Sequence, residues 1–341
     1  MQKVVNLYFV ASPLQYLAAS AIADQFEAGG RQILVWYKPG VGSVVKREQW
    51  DAAVYMPWPR LEPLPGLFGR YRRLVENIRM VAALLGNCDT LQIHSAVFDT
   101  ETINYFLKAL PAACGAKKMN ARILPDGVIS IRRYPLSVMK RLLQQMKRVR
   151  GLVDPQLKYW CFSGDRIGSD APFCDRIYVM PGLPHEYPEG KVMVLPPLVK
   201  RLDSGASRIL RKALVVGQPL VGAGLMSLSS LHKTTDEIYE WLMQEQFDVV
   251  EYKGHPKDAN LELCHDDYVV LKLDETLETW MSKTHYDAVI GVRSSALLFA
   301  RQIYGPDTEV IAFGWDMIRF KSDSEGTDMR NLFANVGIQF R

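Results

Sequence analysis

The sequence predicts an α/β protein made of two parallel-sheet halves, and three observations carry that expectation. Short β-branched and aromatic runs alternate with stretches whose apolar residues recur at helical spacing. The alternation is interrupted by proline- and basic-rich text near "VLPPLVKRLDSGASRILRK" and then restarts. Polar or glycine-bearing turns follow the strand-like runs, as in sheets whose strands are joined by helical crossovers.

In order, "VVNLYFVAS" reads as a strand, and "PLQYLAASAIADQFEAGG" as a helix opening at Pro13 and closing at Gly29. "RQILVWYK" is a strand, the basic segment 67 to 86 a helix, "DTLQIHSA" a strand, "TETINYFLKAL" a helix, and "NARILPDGVIS" a strand entering a turn. After the interruption come "ALVVGQPL", a helix over 233 to 246, "FDVVEYKGHP", "DYVVLKL", a helix over 275 to 283, "YDAVIGVRSSALLFARQ" and "TEVIAFG". Two such passes give two Rossmann-like halves with a cleft between them.

A chain of 341 residues with 48% hydrophobic composition can bury sizeable cores, and its length suits two domains. The formal net charge of +4 is small for that size, which argues against general nucleic-acid binding. Cys88, Cys114, Cys161, Cys174 and Cys264 form no CxxC pair and read as reduced thiols of a cytosolic protein. The opening segment does not read as a signal peptide, and no apolar stretch approaches the roughly 20 residues of a membrane span. The expected site of action is cytoplasmic.

Ligands of open α/β sheets bind beyond the carboxyl ends of the strands. That rule nominates the loop around Ser12 and Gln15 and the turn Asp126-Gly127 in the first half. In the second it nominates Gly217-Gln218-Pro219, the turn Lys253-Gly254-His255-Pro256, and Arg293-Ser294-Ser295. Two serines at a strand-to-helix junction serve most simply as a helix cap, but with free N–H groups they also make an anion site. Lys253 and His255 would bring a cation and an imidazole to the same sheet edge, so four groups suited to phosphate converge. His94, His185, His232, His265 and His285 lack such neighbours and read as structural. Glu278 suits a ribose or base as a hydrogen-bond acceptor, although an acid on a helix is ordinarily solvated. Asp126 is most cheaply a turn residue, but a carboxylate at that edge is also placed to act as a general base. Segment 131 to 150 carries seven Lys or Arg and no acid, with Met139, Leu142, Leu143, Met146 and Val149 on one helical face. A solvated basic face and peripheral contact with an anionic membrane through 132 to 150 both fit. Walker, GxGxxG, GxSxG and HExxH motifs are absent, as is a DxD pair for a divalent metal.

Pro125-Asp126-Gly127, His255-Pro256 and Ser294-Ser295, in that order and with wide gaps, resemble the motifs of the bacterial sialyltransferases of the GT-B type, including the lipooligosaccharide and polysialyltransferase-like groups. "NLYFVASPLQYLAASAI" and "KGHP" followed by "TLETWM" add to the similarity. Pro125 departs from the pattern, which commonly has a second acid there. The resemblance implies a GT-B architecture: an acceptor-binding domain over 1–195, a CMP-sugar-binding domain over 196–315, and a segment 316–341 packing back on the first domain. It implies inverting, metal-independent transfer of sialic acid from CMP-sialic acid to a glycan hydroxyl in lipopolysaccharide or capsule synthesis, with no cofactor. Asp126 would be the base, and His255, Ser294 and Ser295 would hold the phosphate of CMP. Lys253, Gly254, Pro256, Glu278 and Gly217 to Pro219 would line the nucleotide, with Ser12, Gln15 and Gly127 on the acceptor side. Another CMP-linked nonulosonic acid or Kdo presents the same leaving group; a UDP-sugar enzyme and a non-catalytic nucleotide-binding scaffold are the more distant alternatives. The acceptor is expected to be lipid-linked, at the inner face of the inner membrane.

Overall fold

The computed structural model describes residues 3–126, 133, 135–181, 183–199, 210–255, 258, 260–320 and 323–341. The chain divides into two compact units, Met1–Val179 with His185–Leu195, and Met180–Pro184 with Pro196–Arg341.

The first unit runs β1 (Val4–Val10), α1 (Pro13–Gln25), β2 (Arg31–Trp36), β3 (Ala52–Tyr55), α2 (Gly69–Leu85), β4 (Thr90–Ser95), α3 (Glu101–Cys114), β5 (Lys118–Ile123), α4 (Val138–Arg148), α5 (Arg150–Val153), β6 (Cys174–Val179) and β7 (Val192–Val194). All pairings are parallel, in the order β3-β2-β1-β4-β5-β6-β7. β1 is buried almost throughout, because a central parallel strand is covered on both faces. One face places Val5, Leu7 and Phe9 in a core shared with Ile78 and Val81 of α2 and Phe106 and Leu110 of α3. The other carries a polar row that periodicity does not reveal: Tyr8, His94 and Arg122 stand side by side in register on β1, β4 and β5. Glu27, just after α1, accepts from Arg122 and from the Tyr178 hydroxyl, fastening the end of that helix to the sheet. Ser12 and Pro13 start α1: the serine hydroxyl accepts from the Gln15 N–H, and proline occupies the first turn.

The second unit runs β8 (Lys212–Val216), α6 (Leu228–Gln244), β9 (Val249–Lys253), β10 (Val269–Val270), α7 (Leu277–Met281), β11 (Ala288–Gly291), α8 (Ser295–Ile303), β12 (Glu309–Ala312), α9 (Asp323–Asn335) and β13 (Gln339–Phe340). Its parallel sheet is ordered β10-β9-β8-β11-β12-β13, so the strand order reverses beside β8, as it does beside β1 in the first sheet. α6 begins at Leu228 rather than 233, because Ser227 caps it through a hydrogen bond from the Ser230 N–H. "DYVVLKL" contributes only a two-residue strand.

Segment 316–341 differs from the expectation that it returns to the first half. It closes the edge of the second sheet, with Ile311 and Ala312 of β12 in register with Gln339 and Phe340 of β13. The cause is apolar: Phe320, Phe333 and Phe340 surround Trp315 at ring separations of 5.5, 5.2 and 5.0 Å, and Val336 and Ile338 are buried with them. Among the described residues, no helix is long and apolar enough to cross a membrane.

Candidate functional site

Each unit gathers its chemistry at the carboxyl edge of its sheet. In the first, pairing of β5 with β4 continues one residue past the strand, where the Leu124 N–H donates to the Ser95 carbonyl at 3.1 Å. Asp126 therefore leaves a fixed strand end, half-buried. The Gln15 carboxamide oxygen accepts from the Ala11 N–H at 2.7 Å, and the side chain also hydrogen-bonds the Asp126 carboxylate. One buried glutamine thus ties the loop after β1 to the residue after β5. Burial pushes the Asp126 carboxyl above the usual aspartate range; the hydrogen bond from Gln15 and the charge of Lys38, beyond β2, act in the opposite sense. Tyr37, whose hydroxyl is pushed up by its own burial and by Asp126, stacks on Trp58 with ring centres 4.4 Å apart. The Ser12 hydroxyl is committed to capping α1. Gly127 lies outside the described residues.

In the second unit three loops follow adjacent strands. The β8–β9 ladder runs to the edge, where the Gly217 N–H donates to the Lys253 carbonyl at 3.0 Å. A side chain at Gly217 would lie 2.1 Å from the Tyr252 hydroxyl, so only glycine allows this approach. The Gln218 side-chain oxygen accepts from the Arg293 N–H at 2.9 Å, joining the loop after β8 to the loop after β11 at the point where the strand order reverses. Ser294 caps α8, its hydroxyl accepting from the Ala296 N–H at 3.2 Å, and exposed Ser295 opens the helix. Arg293 lies 5.3 Å over the Phe320 ring and 3.5 Å from Glu325, so the C-terminal segment braces the serine loop. Lys253 ends β9 and folds its ammonium onto the Gly254 carbonyl at 2.9 Å. His255 follows, exposed. Pro219 starts the turn that returns at Ala223, whose N–H donates to the Pro219 carbonyl. Glu278 stands in the first turn of α7, which packs against α8. Pro256 lies outside the described residues.

Sequence reasoning missed the groups that hold this edge together. The buried Tyr252 hydroxyl donates to the Glu262 carbonyl at 2.7 Å, and Asp258 accepts from the Glu262 and Asn260 N–H groups at 2.8 and 3.1 Å. Glu262, itself buried, accepts from Val221 N–H at 2.8 Å and Gly222 N–H at 3.2 Å, clamping the loop that Gly217 begins. Leu261 and Leu263, on either side, sit at φ of 51° and 72°, a conformation that costs L-residues and that the Glu262 contacts hold in place. No local pattern marks such a clamp, since an acid in a loop is ordinarily solvated. Glu262→Gln should lower stability by about 2 kcal/mol, because the amide nitrogen that replaces one carboxylate oxygen then faces one of the two N–H donors. Thermal melting of the variant checks the loss.

Residues 199–312 match the family model described as Alpha-2,8-polysialyltransferase (POLYST), a segment that contains all three loops. No curated protein matches. Among solved structures, the UDP-GlcNAc 2-epimerase from Methanocaldococcus jannaschii is 9% identical with a TM-score of 0.48, over 99% of this chain and 88% of that one. The glycotransferase of kitacinnamycin is 11% identical with a TM-score of 0.45, over 99% and 86%. MurG of Acinetobacter baumannii is 10% identical with a TM-score of 0.41, over 99% and 86%.

Proposed function

We propose that this chain, a glycosyltransferase of the sialyltransferase type by the match over its second half, transfers sialic acid from CMP-sialic acid to a hydroxyl of a lipid-linked glycan with inversion and without a metal. The observation that carries the reading is the fixed convergence of the loops after β8, β9 and β11, all within the matched segment, on one edge of the sheet.

In the donor, the anomeric carbon bears a carboxylate and the phosphate oxygen of CMP. Breaking that carbon–oxygen bond sends its electron pair to CMP and leaves an oxocarbenium-like centre. Ser295 and the backbone N–H groups opening α8 donate to the phosphate, and Lys253 and His255 add positive charge, with the leaving group best stabilised when its charge is fullest. Gln218 and Arg293 keep two of these loops in register, so little reorganisation is needed during reaction. The acceptor oxygen forms the new bond from the face opposite CMP, and its proton goes to Asp126, whose raised pKa makes it a stronger base than an ordinary aspartate.

The direct test is calorimetric titration with CMP, UDP and GDP. Selective CMP binding that is weakened in His255→Ala is expected. Binding of UDP in preference to CMP, or of none of the three, would overturn the assignment of the donor.

A further inference from the structure

α4 is mounted the wrong way round for a helix of a water-soluble surface. Its only buried side chain is Gln144, whose amide donates to Asp99 at 2.7 Å and whose oxygen accepts from the Phe162 N–H at 2.9 Å. Lys147 is on the same side, 4.9 Å over the Tyr159 ring and 3.7 Å from Glu101. At 100° per residue, the face opposite Gln144 is Val138, Met139, Leu142, Leu143, Met146 and Val149, which are 48 to 83% exposed. An amphipathic surface helix ordinarily turns its apolar stripe inward; here polar groups fasten the helix and the stripe points out.

A second apolar feature lies on the same unit. Leu67 and Phe68 are 85% and 73% exposed just ahead of α2, and Phe68 is held at φ 57°. A groove of about 800 Å³ is lined by Phe68, Tyr71 and Val75 of the α2 side and by Arg150 of α5, with Arg72 and Arg79 along it. Arg150 lies 5.0 Å over the Tyr71 ring and donates to the Tyr105 hydroxyl at 2.9 Å, so α5 and α2 form one surface there.

We propose that this surface docks on an anionic lipid bilayer, with the outward face of α4 and the Leu67-Phe68 corner entering the acyl boundary and the groove accepting a lipid chain. Charge selects that occupant. Lys140, Arg141 and Arg148 are exposed on α4, which carries no acid, while Lys147 and Arg150 pair with Glu101; α2 adds exposed Arg70, Arg72 and Arg79, its Glu76 pairs with Arg73, and Asp154 is the other acid lining the groove. Lysine and arginine stems flanking an apolar stripe reach headgroup phosphates while the stripe is immersed. The arrangement sets the catalytic chain on the surface that a lipid-linked acceptor occupies, but it does not depend on which sugar is moved.

The test uses the whole chain and neither nucleotide nor sugar: flotation with phosphatidylcholine vesicles with and without phosphatidylglycerol. Binding that requires phosphatidylglycerol is expected. It should weaken about tenfold in Leu142→Ser/Met146→Ser and in Lys140→Glu/Arg141→Glu, and by a smaller factor in Phe68→Ser. These side chains are exposed, and unchanged circular dichroism and thermal melting in each variant would show that the fold is intact. Absence of binding to phosphatidylglycerol vesicles, or equal binding by wild type and Leu142→Ser/Met146→Ser, overturns the proposal. A dimer in light scattering that the same pair of serines dissolves would also overturn it, by showing that a second copy covers the face.

Discussion

Asp126→Asn is expected to lower kcat for transfer about 100- to 10,000-fold while leaving the affinity for CMP unchanged, because in the proposed reaction Asp126 serves the acceptor and the second unit holds CMP. Steady-state kinetics beside calorimetric titration separates the two. The pH profile supplies an independent sign. Asp126 must be ionised to take a proton, so kcat/KM falls as pH drops through its pKa, and burial places that limb above the usual aspartate range. Gln15→Leu and Lys38→Met each remove a group that favours the ionised form, so both should move the limb to higher pH. Stability should move the opposite way from activity. With its folded pKa above the usual value of 3.8, Asp126 binds more proton in the folded than in the unfolded chain between those two values. Its ionisation therefore destabilises the fold once pH exceeds the folded pKa. Asp126→Asn should raise Tm at neutral pH, with the difference disappearing below pH 3.8. Full turnover in Asp126→Asn, or a limb that stays put in both supporting variants, would remove Asp126 from the reaction.

His255→Ala should lower kcat about 100- to 1,000-fold and weaken CMP binding, the loss expected when one preorganised partner of a developing charge is removed. Ser295→Ala is the companion experiment, since its exposed hydroxyl opens α8 without making the cap. Ser294→Ala also costs about 1 kcal/mol of helix capping, so its kinetic loss is read only after the fall in Tm. Acceptor KM should be little changed in His255→Ala, in contrast to kcat. A variant with normal kcat and normal CMP affinity would assign the turn after β9 a structural role only.

The strand-end candidates were legible because their signals are local. "YFVAS", "RILPD", "LVVGQP", "EYKGHP" and "VIGVRSS" each join an apolar run to a turn, and the run and the break lie within a few residues of one another. Secondary structure, the two passes, and the edge on which Asp126, Lys253, His255 and the serine pair stand follow from that. The return of 316–341 to the first half did not hold, since the aromatic cluster around Trp315 is assembled by packing and has no periodic signature.

What the sequence alone determined is thus the class of fold, the polar loops at the carboxyl ends of the strands, and the amphipathic character of 138–149. What only the tertiary structure decided is which distant groups meet: Gln15 with Asp126, Gln218 with Arg293, Glu262 with the loop after β8, and Gln144 rather than the leucines as the inward residue of α4. The reason is physical. A helix or strand is specified by neighbours in the chain, whereas hydrogen-bond partners are set by strand order and by the packing of helices on sheets, and those contacts join residues far apart in sequence.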